Sequence, residues 1–514
     1  MWYNIIMNQK YVNFYTNVAK YGNTILYRGY DGDGKPDLRR IKYKPTLYVP
    51  SNNKGGIKSQ WKGLDGTQVE PMKFPNMKEA SLFVQSYSDM NDYKIYGNTR
   101  FPYAFIQELF PDSIRADTSL INTVYIDIEV YSDDGFPEAE DADKEVVCIG
   151  LYSSKTEEYT VFGLKDFDPK ICRVDEGKKI NYIKLPHETA LLETFLAWWE
   201  EEYNTPDIIT GWNVRFFDIP YLVHRITRVM GEKEAKRLSP WKLINSKSIN
   251  KMGKLRSVYD LVGIQTLDYL ELFQKFAVLT YGNQESYSLD HIAYVVLGES
   301  KLDYSEAGTL SQLYNTDHQK YISYNIKDVQ LVKRLDEKLG FLNIVLTMSY
   351  MAGVNYTDTL GTTTIWDTII FRELARRKIA IPADVKPPPR INFPGAYVKP
   401  TINGLHKWVV SFDLNSLYPN LIRQYNMSPE TLVPQSFIPG IDENYIIENQ
   451  HTKISNDNLA VAPNGAVFRR DIKGILPELV EQIYNKRVQI KKHQLEAEQQ
   501  LDDINTEIER RILT

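Results

Sequence analysis

From residue 121 onward the apolar residues alternate between a two-residue and a 3.6-residue period, and that alternation restricts the fold more than any other feature of the chain. VYIDIEV (124–130) and EVVCIGLYS (145–153) read as strands. TALLETFLAWWEEEY (189–203) reads as a helix with Leu192, Phe195, Leu196 and Trp199 at helical spacing. PDIITGWN (206–213) is again a strand, and FDIPYLVHRITRVMG (217–231) is the helix after it. HQKYISYNIKDVQLVKRLDEKLG (318–340) closes the unit as a long helix with its apolar face at Ile322, Ile326, Val329 and Val332. Strand, strand, helix, strand, helix predicts a central sheet covered by helices.

The flanking sequence has other textures. Before residue 121 the chain reads as short strands and turns: WYNIIMNQKYVNFYTN (2–17) and NTILYRGY (23–30) are apolar and β-branched. DGDGKP (31–36) between them and the next strand carries Asp31 and Asp33, with Asp37 following. It lacks the spacing and terminal Glu of a calcium loop, so a hairpin turn is expected. Residues 342–390 are largely helical and end in VKPPPR, a boundary signal. FPGAYVKP (393–400) and KWVVSFDLNSLYPN (407–420) read as strands of a new domain, and from Lys473 onward one long helix or two paired helices are expected.

A length of 514 residues suggests three or four domains, and 43% hydrophobic with 25% charged residues excludes a disordered or collagen-like chain. The net charge, 61 − 66 = −5, argues against a surface that wraps nucleic acid everywhere but leaves room for a basic channel. Two cysteines, Cys148 and Cys172, cannot staple a protein of this size and point to a reducing compartment. No segment has the roughly 18 apolar residues of a membrane span, so no membrane partner is expected.

Three carboxylate elements stand in this central region. Period-two geometry puts Asp127 and Glu129 on one strand face and Ile126, Ile128 and Val130 on the other. Two carboxylates side by side on a buried strand raise each other's pKa unless a cation sits between them, whereas an edge strand would simply solvate them. Asp218 stands at the entrance to a helix, where it could equally be a cap. Tyr324 and Asp328, four apart, share a helix face, as an ordinary surface Tyr–Asp pair also would.

Taken together and in this order, Asp-x-Glu on a strand, Asp opening a helix and Tyr-x-x-x-Asp on a later helix resemble the DnaQ-like 3′→5′ proofreading exonuclease of DNA polymerases. The resemblance implies that Asp127, Glu129, Asp218 and Asp328 bind two Mg²⁺ ions and that Tyr324 orients the attacking water. Between the second and third elements, NSKSINKMGKLRSVYDLVG (245–263) reads as a hairpin. Its Lys247, Lys251, Lys254 and Arg256 could meet DNA phosphates or simply be solvated.

KWVVSFDLNSLYPNLI (407–422) adds a second site. A strand is expected to end at Asp413, followed by a tight turn through Leu414, Ser416 and Leu417 to Tyr418. Such a turn exposes successive backbone N–H groups beside a carboxylate and can hold a metal with its triphosphate. Tyr418 could pack under the sugar ring. This segment resembles the first polymerase motif of family B DNA polymerases. FPGAYV (393–398) looks like that family's linker between exonuclease and palm. GILPELVEQIYNKRVQIKK (474–492) looks like the start of the fingers, with Arg487 and Lys491 facing the triphosphate. The likeness is to polymerases of T-even-type phages and covers essentially the whole chain. The family's second palm carboxylate motif and its Lys-bearing fingers motif do not occur in this sequence.

The fold expected is therefore α/β and multidomain. It comprises a mixed β N-terminal domain (1–120, with a return segment 342–390) and an RNase H-like (DnaQ-like) exonuclease domain (121–341). A partial α+β palm (391–470) and partial helical fingers (471–514) follow. The function expected is the N-terminal subunit of a split replicative polymerase, or a truncated chain. A non-catalytic nucleic-acid-binding subunit and a stand-alone repair exonuclease stay open as alternatives. The partners implied are primer–template DNA and single-stranded 3′ ends, dNTP in the assembled enzyme, a second chain with the C-terminal half, and a sliding clamp through that half. The compartment implied is the host cytoplasm.

Overall fold

Residue alternation along β7 (Thr123–Val130) sets the architecture of the larger part of the molecule. In the computed structural model, Val124, Ile126 and Ile128 pack into a core with helices α3 (Glu188–Glu200) and α4 (Asp218–Met230), through Leu192, Phe195, Trp199, Leu222 and Ile226. Tyr125 points the other way, into the core built on helix α8 (His318–Leu339), where Ile322, Ile326, Val329 and Val332 are buried. The sheet is thus covered on both faces, as a strand apolar at every second position and tightly spaced on the other face requires. The structure describes residues 13–51, 59–88, 90, 93–133, 135–175, 177–251, 253–383, 398–434, 458–462 and 465–513.

The chain divides into two compact units, the first running essentially to Val385 and the second from Lys386. In the first, the central sheet has six strands: β7, β8 (Val146–Ser153), β9 (Glu158–Gly163), β10 (Ile180–Lys184), β11 (Ile208–Thr210) and β14 (Gln265–Thr266). Their order is β10-β9-β8-β7-β11-β14, antiparallel from β7 through β9 and parallel at both ends. β12 (Ile244–Lys251) and β13 (Lys254–Leu261) form a separate two-stranded hairpin in full register from Ile244↔Leu261 to Lys251↔Lys254.

The N-terminal strands make two smaller sheets. β1 (Phe14–Tyr21), β2 (Thr24–Tyr30) and β3 (Pro36–Lys42) form an antiparallel meander. The turn after β2 is a hairpin turn joining antiparallel β2 and β3, as expected, and in it Asp31 Oδ1 accepts from the backbone N–H groups of Asp33 (2.9 Å) and Lys35 (2.8 Å). β4 (Thr46–Pro50), β5 (Trp61–Gly63) and β6 (Gln68–Lys73) form the second sheet with β15 (Ile379–Ala380), which returns from far along the chain to pair parallel with β5.

Buried polar contacts join these pieces. Asp207, before β11, accepts from Thr16 (3.0 Å) and Tyr30 (2.7 Å) and pairs with Arg28 at 3.2 Å. The Tyr15 hydroxyl donates to Val354 O (2.7 Å), just after helix α9 (Phe341–Ala352). Helix α10 (Thr363–Arg376) then leads into β15.

In the second unit, one continuous helix, α12 (Ile475–Leu513), meets the expectation of a long helix. The expected strand over 407–413 is not formed. Residues 398–414 are irregular and exposed, with Trp408, Val409, Val410 and Phe412 between 70% and 96% accessible. The segment has the composition of a strand, but no described strand lies beside it. An extended chain without a partner leaves its N–H and C=O groups unpaired and has no ladder to hold it. FPGAYV before residue 398, VKPPPR after Ala383 and the start of WYNIIMNQKYVNFYTN lie outside the described residues.

Candidate active site

The site is assembled from three elements of the first unit. β7 alternates, so Asp127 and Glu129 project from the face that carries Tyr125, toward α8. α8 presents Tyr324 and Asp328 one turn apart, 6% and 4% accessible. Asp218 opens α4, and its Oδ1 accepts from Ile128 N at 3.1 Å, which ties the start of that helix to the middle of β7. All five residues named from the sequence for this site are therefore brought to one region.

The electrostatics are those of acids crowded out of water. Burial raises all four carboxyls. Glu129, Asp328 and Asp218 each raise Asp127 further by like charge. Glu129 rises to about 8, from desolvation and then Asp328, with Lys301 opposing. Asp218 rises to about 7, from desolvation opposed by its hydrogen bond from Ile128 N. Asp328 is raised by desolvation, with Lys301 again opposing. Tyr324 is pushed up by burial and then by Asp328, so its hydroxyl stays neutral and able both to donate and to accept.

Two residues that sequence reasoning did not identify complete the site. Lys301 donates from Nζ to Asp328 Oδ2 at 2.5 Å and to the Tyr324 hydroxyl at 3.0 Å. Asn325 donates from Nδ2 to the Asp127 carboxylate at 2.8 Å and to its backbone carbonyl at 3.2 Å. Asn325 fits against β8 only because Gly150, paired with Asp127 across the strands, has no side chain; a Cβ there would stand 1.8 Å from Asn325 Oδ1. A polar residue inside an otherwise apolar helix stripe was the available signal for Asn325. Lys301, in an irregular connection after Gly298, gave none.

The donor set suits a hard divalent cation. Four carboxylates offer oxygen ligands, their mutual repulsion would be relieved by positive charge, and Asp328 Oδ1 is buried without a hydrogen-bond partner among the described residues. The cage is not closed as it stands. Among the described residues no three Asp, Glu, His or Cys side chains converge tightly enough to hold one ion. The positive charge on Asp328 is the Lys301 ammonium.

The basic hairpin is anchored beside this region. Tyr259 OH and His224 Nε2 are 2.5 Å apart, and Ser257 donates to Glu140. Lys247 faces Val258 and Arg256 faces Ile249 across the hairpin, and Lys251 pairs with Lys254 at its end.

In the second unit Asp413 is exposed in the irregular segment. The tight turn after it is present. Ser416 has φ +52°, a left-handed conformation rare for a residue with a side chain, and leads directly into helix α11 (Leu417–Tyr425). Tyr418 is 76% accessible. Arg487 on α12 donates to Ser416 Oγ at 3.5 Å, so the turn and the helix meet, with Lys491 one turn further on. Leu414 is exposed, 69% accessible.

Comparison with known proteins covers both parts. Residues 90–292 match the family described as DNA polymerase family B, exonuclease domain, a span that holds Asp127, Glu129 and Asp218. Residues 355–510 match DNA polymerase family B, a span that holds Asp413, Arg487 and Lys491. Tyr324 and Asp328 lie between the two spans. The DNA-directed DNA polymerase of Escherichia phage RB69 is 34% identical over 504 residues, covering 94% of this chain and 54% of the relative. That of Enterobacteria phage T4 is 32% identical over 513 residues, covering 96% and 55%. The DNA polymerase delta catalytic subunit of Caenorhabditis elegans is 26% identical over 400 residues, 74% of this chain and 34% of the relative. The chain spans about half the length of the phage relatives it matches. Two spans matching one family, together with these phage relatives along nearly the whole sequence, place the chain by descent: it belongs to DNA polymerase family B.

Proposed function

We propose that this chain carries the 3′→5′ proofreading exonuclease of a replicative phage DNA polymerase, on a DnaQ-like, RNase H-like domain spanning 121–341. The observation that carries the reading is the convergence of Asp127, Glu129, Asp218, Asp328 and Tyr324 from β7, α4 and α8. The four carboxylates would hold two Mg²⁺ ions, which when bound supply charge stabilisation to the attacking and leaving oxygens of a phosphodiester. Tyr324, kept neutral, accepts from and orients the attacking water. Asn325 holds Asp127 in place, and Lys301 neutralises Asp328 until a metal does so. The substrate is the single-stranded 3′ end of a primer, guided by Lys247, Lys251, Lys254 and Arg256 on the hairpin.

The remaining domains follow the same reading. Residues 1–120 with 342–390 form the N-terminal domain, 391–470 begin a palm and 471–514 begin the fingers. Asp413 is one of the carboxylates of the polymerase site. Leu414, Ser416, Leu417 and Tyr418 cradle the dNTP, and Arg487 and Lys491 meet its triphosphate. Phosphoryl transfer by two metals needs a second carboxylate. DNA synthesis on primer–template therefore draws on the half of the phage relatives' length that this chain does not span, with a sliding clamp engaged through it. The exposed apolar run Trp408, Val409, Val410 and Phe412 is a surface that such a half would cover. The setting is the cytoplasm of the host during replication.

The test is release of deoxynucleoside monophosphate from single-stranded DNA in Mg²⁺, with primer extension measured beside it. Release by the wild type and loss in Asp218→Asn, with extension only after a C-terminal half of a phage relative is added, supports the reading. Extension by the chain alone would overturn the polymerase part. Undiminished release by Asp218→Asn would overturn the exonuclease part.

A further inference from the structure

A second cavity, remote from the carboxylates, lies in the N-terminal part of the first unit, between the β4–β5–β15 sheet and helices α2 (Phe101–Leu109) and α10. Its volume is about 600 Å³, within the range that takes a small organic ligand. One wall is aromatic: Tyr48 and Trp61, both half-buried, have ring centroids 4.3 Å apart. Gln107 lines the same cavity and is 8% accessible. Its Nε2 donates to Pro111 O at 3.4 Å, but its Oε1 is buried with no hydrogen-bond partner among the described residues. A buried amide oxygen without a donor is unfavourable, and among the described residues none supplies an N–H to this one.

The rim supplies the second half of the chemistry. Lys378 lies 5.2 Å from the Trp61 ring centroid and has no carboxylate partner among the described residues. It also has φ +58°, just past the end of α10, where glycine is the unstrained choice. Glu108, also at the rim, adds an acceptor.

An aromatic wall, a buried acceptor wanting a donor and an unpaired cation at the mouth match one ligand class. We infer that this cavity binds a nucleotide unit. The base lies against the Tyr48–Trp61 wall, an N–H edge donates to Gln107 Oε1, and the phosphate meets the Lys378 ammonium. Acceptors on the protein side select bases with amino edges, so adenine, guanine and cytosine are favoured over thymine, which presents a single N–H. The unit could be a free nucleotide or one base of a passing single strand, and the chemistry is the same.

The experiment is calorimetric titration of the full chain in EDTA, in an Asp127→Ala/Glu129→Ala background that disables the carboxylate site. This makes the result independent of the exonuclease reading. Probes are AMP, adenosine, dTMP, (dA)₈ and (dT)₈. AMP is expected to bind below millimolar and more tightly than dTMP. Lys378→Gly, which relieves the backbone strain and so keeps the fold, weakens AMP by about tenfold, the size of one charge-assisted contact, and leaves adenosine nearly unchanged. Gln107→Met weakens both AMP and adenosine. AMP binding with no (dA)₈ binding identifies a free nucleotide as the source, and competition between them identifies a strand. No AMP or (dA)₈ binding, dTMP binding as tight as AMP, or binding indifferent to both variants overturns the inference.

Discussion

Lys301 and Asp328 form an ion pair at 2.5 Å, with side chains 28% and 6% accessible, within a group of four acids. The ammonium stands where the site most needs positive charge. Burial by itself would lower its pKa, and Asp328 and then Tyr324 hold it above the ordinary lysine value instead. Without a metal, this lysine is what opposes the burial that raises the Asp328 carboxyl.

Lys301→Met therefore leaves a buried carboxylate without its partner. The metal-free variant is expected to be less stable by about 1–3 kcal/mol, the usual cost of a buried polar group left unmatched. Mg²⁺ is expected to stabilise the variant more than the wild type, since the ion takes over the charge that the lysine supplied. Urea unfolding with and without Mg²⁺ measures both. Equal Mg²⁺ stabilisation of the two proteins would show that lysine and metal do not share a role.

The contribution of these acids to the stability of the metal-free chain is expected to fall as pH rises from about 4 to about 8. Glu129 sits at about 8 and Asp218 at about 7 in the fold, whereas both are near 4 when unfolded. Across that window the folded chain holds protons that the unfolded chain has released. The linkage slope is then negative, with the contribution complete below pH about 4 and lost by about 8. Glu129→Gln and Asp218→Asn each remove up to about 1.4 kcal/mol per pH unit of that slope. Unfolding midpoints in EDTA at about pH 5 and about pH 8 decide it: identical slopes in wild type and variants contradict the assignment.

Gly150→Ala places a methyl group where Asn325 Oδ1 lies, 1.8 Å away, and Asn325 has to move off Asp127. A loss of about 1–3 kcal/mol is expected from overpacking. Adding Asn325→Ala opens the space again, so the double variant recovers stability. It does not recover nuclease rate, because Asp127 has lost its anchor. Recovery of both would mean that Asn325 is filler.

Lys247→Ala and Arg256→Ala on the hairpin are expected to weaken single-stranded DNA binding uniformly across sequences. Each lowers the slope of log K against log salt by about 0.7, one phosphate contact. An unchanged slope would take the hairpin out of the DNA path.

Much of this was legible in the sequence because the elements are strongly periodic. The alternation in VYIDIEV put Asp127 and Glu129 on the face opposite Ile126 and Ile128, and the i, i+4 spacing put Tyr324 beside Asp328. That these faces meet was not in any local pattern, since it depends on α8 crossing the face of β7 that Asp127 occupies. Lys301 sits in an irregular connection with no period to reveal where it points. Gly150 reads as one small residue in an apolar strand, and its purpose shows only once Asn325 is opposite it. The segment 407–413 shows the reverse error: β-rich composition promised a strand, but a strand also needs a neighbour.

The central claim is that the four acids make this chain a 3′→5′ exonuclease, and one measurement meets it most directly. The chain is incubated with a 5′-labelled single-stranded oligonucleotide and Mg²⁺, beside Asp127→Ala/Glu129→Ala. A ladder shortening from the 3′ end in the wild type, absent in the double variant and in EDTA, is the predicted result. An intact oligonucleotide with the wild type, or an equal ladder with the double variant, would contradict it.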